Sequence, residues 1–231
     1  MLSALVYYIH YTIFRDAYHI FFYLIADIAF VFIEVLLVTL VLQGLLSYRE
    51  QKTLLKKLNM VIGAFFSEAG TDLMRSMSFF DAESSKIAKH LIVNNEWLDK
   101  DFRNVSKSVL AHIPVIDHKR IDLALLKEFL AKKRDFLLAL LENPNLLEHE
   151  SFTNLLWAVF HLAEELCHRK NPDALSNTDR EHLAGDIKRV YNLLISEWLM
   201  YMSHLKADYP YLFSLAIRTN PFDANASAEV K

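Results

Sequence analysis

From Ile20 to Leu46 the chain reads IFFYLIADIAFVFIEVLLVTLVLQGLL, 27 residues without a basic side chain. Crossing about 30 Å of hydrocarbon takes roughly 20 helical residues, so this stretch predicts one transmembrane helix. The first Gly is Gly44 and the first Pro is Pro114, so nothing before position 44 signals a turn. A helical hairpin is therefore not expected. Residues 1–19 are read as an apolar extension of the same helix, or as an aromatic segment lying in the interface with Tyr7, Tyr8, Tyr11 and Phe14. A cleaved signal peptide fits poorly. The first side-chain positive charge is Arg15, the apolar core is too long, and no A-x-A site follows.

Flanking charge sets an expected orientation. Arg49, Lys52, Lys56 and Lys57 follow the span, and only Arg15, beside Asp16, precedes it. Positive flanks stay in the cytoplasm, which places the N-terminus outside and the C-terminal part in the cytoplasm. Two acids interrupt the span. Asp27 and Glu34 are seven residues apart and share a helix face with Asp16 and Tyr23. An acid in hydrocarbon costs at least ~2.5 kcal/mol near the centre, so such a stripe calls for a partner helix. The expected partner is a second copy of the chain, held through Asp27 and Glu34.

Beyond the span the chain carries 24 basic and 25 acidic side chains from position 48 onward. A near-neutral domain has no field to gather nucleic acid, so no nucleic-acid partner is expected. Cys167 is the single cysteine, which excludes an intrachain disulfide. Only 4 Gly and 5 Pro are present, few for hairpins and sheets. The fold class read from this pattern is all-α: one N-terminal transmembrane helix followed by a cytoplasmic helical bundle.

The division expected is an apolar extension over 1–19, a transmembrane helix over 20–47, a juxtamembrane helix over 48–78, a helical domain over 79–218 and a disordered tail over 219–231. Leu55, Leu58, Ile62, Phe65 and Ala69 alternate spacings of three and four, a short seam that suits a coiled-coil stalk or the buried face of a bundle helix. Further helices are expected over 80–94, 97–112, 118–142, 151–169, 178–206 and 211–217. Asp117, Ser151 and Thr178 are the expected caps of the helices that begin beside them.

One constellation suggests chemistry. His161, Glu165 and His168 lie at spacings of four and three on one helix face, and Glu165-x-x-His168 has the form used in carboxylate-bridged metal bundles. The second such motif that a two-metal site needs is absent. Asp179 and His182 fall in a first helical turn, where acids are favoured for electrostatic reasons alone. No P-loop, dinucleotide, zincin, nucleophile-elbow or kinase motif occurs. The function read from the sequence is a non-enzymatic, membrane-anchored helical interaction or signalling module that self-associates through its membrane helix and binds an unidentified protein, without a cofactor. Two alternatives stand beside it. One is a metal-binding enzyme or carrier using His161, Glu165 and His168. The other is a small subunit of a membrane complex in which Asp27 and Glu34 handle protons.

Overall fold

The computed structural model describes residues 2–117, 120–144, 146 and 149–229. Among them every regular element is helical, and the one extended pairing is an isolated bridge between Asp81 and Ile116. The all-α expectation holds. The chain divides into two compact units, residues 1–54 and 55–231.

The N-terminal unit contains α1 (Leu2–Phe14) and the first part of α2 (Ala17–Phe65). These two helices fold back on each other, which corrects the expectation that no helical hairpin forms here and, of the two readings of residues 1–19, the one that made them an extension of the same helix. The Tyr7 hydroxyl donates to Asp27 Oδ2 at 3.1 Å. Along a straight helix twenty residues would separate them by about 30 Å. The turn uses no glycine or proline. Arg15 takes the left-handed conformation at φ 50°, at a cost of roughly 1–2 kcal/mol for a residue with a Cβ. Asp16 then caps α2, accepting from the His19 amide at 3.1 Å. The stacked rings of His10 and His19, with centroids 6.5 Å apart, line the inside of the turn.

α2 carries a stretch long and apolar enough to cross a membrane, none of it buried inside the protein. Its last turns belong to the second unit. There Leu58, Ile62, Phe65 and Ala69 are buried within one chain, and Phe65 meets the Phe152 ring edge-on at 5.4 Å. The seam is thus a bundle face and not a coiled-coil stalk, and Leu55 is left exposed. A π-helical turn over Phe66–Gly70 inserts one extra residue and brings both Phe65 and Phe66 into the core. Gly70 is required at this point, because a Cβ there would stand 2.7 Å from atoms of both rings.

The remaining elements are α3 (Thr71–Phe80), α4 (Ser84–Ala88), α5 (Asp99–Ala111), α6 (Leu123–Leu141), α7 (Glu150–His168), α8 (Asn177–Asp208) and α9 (Pro210–Arg218). α8 is the centre. It packs against α3, α5, α7 and α9, and α6 packs on the other side of α7. Leu183, Ile187, Val190, Tyr191, Leu194 and Trp198 give α8 a buried stripe at helical spacing.

Local corrections are explained by side-chain hydrogen bonds. The helix expected over 80–94 shrinks to α4, because the Asp81 carboxylate pulls the chain out of helix by accepting from the amides of Glu83 and Val115. α6 is capped by Asp122 instead of Asp117, α7 by the His149 ring instead of Ser151, and α8 by Ser176 instead of Thr178. On α6, Leu123, Leu126 and Leu130 are buried and Leu125 is exposed. The tail expected to be disordered is docked, and the Ser227 amide donates to the Arg218 carbonyl at 2.9 Å while Arg218 Nη1 donates to the Ala228 carbonyl. Asn220 is buried and donates to the Leu91 carbonyl at 2.8 Å, and Phe222 meets Trp198 edge-on.

Candidate functional site

α7 and α8 run side by side and in opposite directions, joined by a connection through Pro172–Ala174. His161 and Glu165 are one turn apart on α7; His182 and Asp186 are one turn apart on α8. The antiparallel arrangement sets each histidine against the other helix's acid. His161 Nε2 lies 3.9 Å from Glu165 Oε1 and 3.7 Å from Asp186 Oδ2. His182 Nε2 lies 3.7 Å from Glu165 Oε2 and 3.4 Å from Asp186 Oδ2. The four groups form a closed cycle of alternating imidazole and carboxylate.

The two acids have different surroundings. Glu165 Oε2 accepts from Arg169 Nη1 at 2.6 Å, and the same guanidinium makes a two-pronged pair with Asp179 at 2.8 and 2.6 Å. These contacts hold both carboxyls below the usual carboxylate range and raise the Arg169 guanidinium. Asp186 is buried, with only 5% of its side chain exposed. Its Oδ2 receives no hydrogen bond, although it faces both imidazoles. The nearest guanidinium nitrogen, Arg189 Nη1, stands 3.6 Å from its other oxygen.

His168, expected in the site, is not part of it. It is exposed, and its Nδ1 is paired with the Glu164 carbonyl at 2.8 Å. Two of the four places are filled from α8, by His182 and Asp186. The sequence carried the signal as two matched motifs, His161-x-x-x-Glu165 and His182-x-x-x-Asp186, which only an antiparallel pairing brings into register. Cys167 is a half-buried free thiol. Among the described residues no group of three or more His, Cys, Asp or Glu side chains is placed to hold a metal ion as it stands.

A second feature is a partly open cavity of about 510 Å³. Asn59, Gly63, Ala64 and Phe66 form one wall, Trp198, Tyr201 and His204 another, and Leu212 and Leu215 a third. Gly63 lets Tyr201 approach the end of α2, since a Cβ there would meet the hydroxyl at 3.0 Å. His204 is held by Asp208 at 3.0 Å, and burial lowers its tendency to protonate.

In the N-terminal unit, Asp27 and Glu34 are both exposed along α2. Asp27 has the Tyr7 hydroxyl as an intrachain donor; Glu34 has no polar partner among the described residues.

The two units correspond to two family models. Residues 54–218 match the model described as "Uncharacterized protein MJ1433, C-terminal helical domain", and residues 1–46 match "MJ1433, N-terminal helical domain". The chain is 48% identical over 222 residues to "Uncharacterized protein MJ1433" of Methanocaldococcus jannaschii, covering 96% of this chain and 89% of that protein. No solved structure matches the chain. With both halves matched and nearly the whole relative covered, the chain belongs to the MJ1433 family.

Proposed function

We propose that residues 1–54 fix the chain in a membrane, and that the C-terminal unit is a cytoplasmic, non-enzymatic module that works by binding another protein. One observation carries the reading. From Phe21 to Leu46 the large apolar side chains of α2 are exposed, apart from the half-buried Leu24. Each such side chain left in water forfeits roughly 1.5–3 kcal/mol relative to an apolar environment, and a bilayer supplies that environment along the whole helix. Arg49, Lys52, Lys56 and Lys57 favour the cytoplasm for the C-terminal side.

Self-association through α2 belongs to the same proposal. The Tyr7 hydroxyl gives Asp27 a partner inside the chain, so the call for a second helix falls on Glu34. Interhelical hydrogen bonds in membranes contribute about 0.6 kcal/mol on average and up to roughly 2. Glu34→Leu therefore weakens the oligomer, and Glu34→Gln, which still donates and accepts, keeps most of it. Crosslinking in native membranes reads this; an oligomer unchanged by Glu34→Leu removes the self-association. A C-terminal reporter enzyme that is active only outside the cytoplasm stays silent in this orientation, and its activity would reverse the topology.

A further inference from the structure

We propose that His161, Glu165, His182 and Asp186 are the ligands of one divalent transition-metal ion of the zinc class, held between α7 and α8. The inference stands independently of the membrane anchor. Its starting point is Asp186 Oδ2, which is buried and receives no hydrogen bond. A buried carboxylate oxygen without a donor is costly, so a positive group belongs beside it. Arg189 lies toward the other oxygen at 3.6 Å, is more than half exposed, and leaves Oδ2 open.

The groups that face Oδ2 are two imidazoles, each presenting Nε2. Bonds of about 2.0–2.1 Å to a tetrahedral ion set its ligand atoms about 3.3 Å apart. The edges among Asp186 Oδ2, the two Nε2 atoms and Glu165 Oε1, 3.4, 3.7 and 3.9 Å, exceed that by up to about 0.6 Å. As the side chains stand, no three of these groups are placed to hold an ion. They are drawn in by small rotations of His161 and His182, both about half exposed and free to turn. These separations are also too long for hydrogen bonds, so the present contacts leave the imidazoles uncommitted.

The donor set selects the ion. Two imidazole nitrogens disfavour calcium and magnesium, which take oxygen, and suit zinc, cobalt or iron(II). Two carboxylates match the charge of a divalent ion. Arg169 takes Glu165 Oε2 and so leaves Oε1, the oxygen nearest His161, as the ligand atom. Its second pair, to Asp179, fixes Arg169 across the mouth of the α7–α8 connection as a positioning residue.

The test uses the full chain in detergent at pH 7.5, titrated with Co²⁺ and followed by its visible absorption, then with Zn²⁺ in competition. The expected result is saturable binding of one ion per chain, displaced by Zn²⁺. Asp186→Asn, His182→Gln and His161→Gln each weaken it at least tenfold, and His168→Ala leaves it unchanged. Circular dichroism separates lost binding from lost fold, and His161→Gln, at an exposed position, keeps the test valid if Asp186→Asn unfolds. The absence of saturable binding in the native chain would overturn the proposal. So would binding that survives His161→Gln and His182→Gln, or that is lost in His168→Ala.

Discussion

Asp81 is a buried acid that ties together separate parts of the second unit, and its removal has a calculable cost. Its side chain is fully buried, with 0% exposed. Oδ1 accepts from the amides of Glu83 and Val115, both at 3.0 Å, and Oδ2 is paired with His112 Nε2 at 3.0 Å. These bonds tie the end of α3 to the segment that follows α5, together with the Ala82–Val115 and Asp117–Phe80 backbone bonds. Asp81→Ala strands three donors. An unpaired buried donor costs about 1–3 kcal/mol. Glu83 is half-buried and Val115 exposed as whole residues, so the low end, about 1 kcal/mol each, is taken for the two amides. His112 is mostly buried and adds about 1–3 kcal/mol, for a total of about 3–5 kcal/mol. That is a large share of the 5–15 kcal/mol of a typical domain. Asp81→Asn keeps an acceptor for both amides and loses only the charge-assisted bond, at about 1.5–3 kcal/mol. Urea unfolding followed by tryptophan fluorescence isolates this unit, because Trp97, Trp157 and Trp198 are the only tryptophans and all lie in it. A loss below about 0.5 kcal/mol for Asp81→Ala, or equal losses for the two variants, would refute the reasoning.

Glu197 is buried in α8 with Oε2 unpartnered, and burial pushes its carboxyl above the usual value of 4.5. A folded-state value above the unfolded one means that the contribution of this group to stability is fullest below about pH 4.5 and is lost as pH rises through the folded value. Glu197→Gln should flatten that part of the profile and raise the thermal midpoint near pH 7, which a series of melts from pH 4 to 8 reads. Tyr191 is buried with its hydroxyl unpartnered. Tyr191→Phe should leave urea stability unchanged or slightly higher, and a loss above about 1 kcal/mol would show that the hydroxyl has a bond the geometry misses.

Helical periodicity made α6, α7 and α8 and the apolar span legible in the sequence, because a long stripe at 3.6-residue spacing has few other solutions. The turn at Arg15–Asp16 was hidden, since it rests on a left-handed arginine and carries no turn residue. Asp81 was unreadable for a related reason: its donors come from thirty-four residues away as well as from its neighbour. Within the candidate site His161 and Glu165 were legible from one helix alone. His182 and Asp186 were not, because their role depends on the register between two antiparallel helices, and His168 was read in because spacing along a helix does not tell which of its neighbours the bundle covers.

The claim that residues 1–54 anchor the chain is tested most directly by washing native membranes with alkaline carbonate. Peripheral proteins are released by this treatment, and proteins that span the bilayer stay in the pellet until detergent is added. The account predicts that the full chain remains in the pellet after carbonate and appears in the soluble fraction only with detergent. Recovery of the chain in the carbonate supernatant would contradict it, and the exposed face of α2 would then need a protein partner in place of lipid.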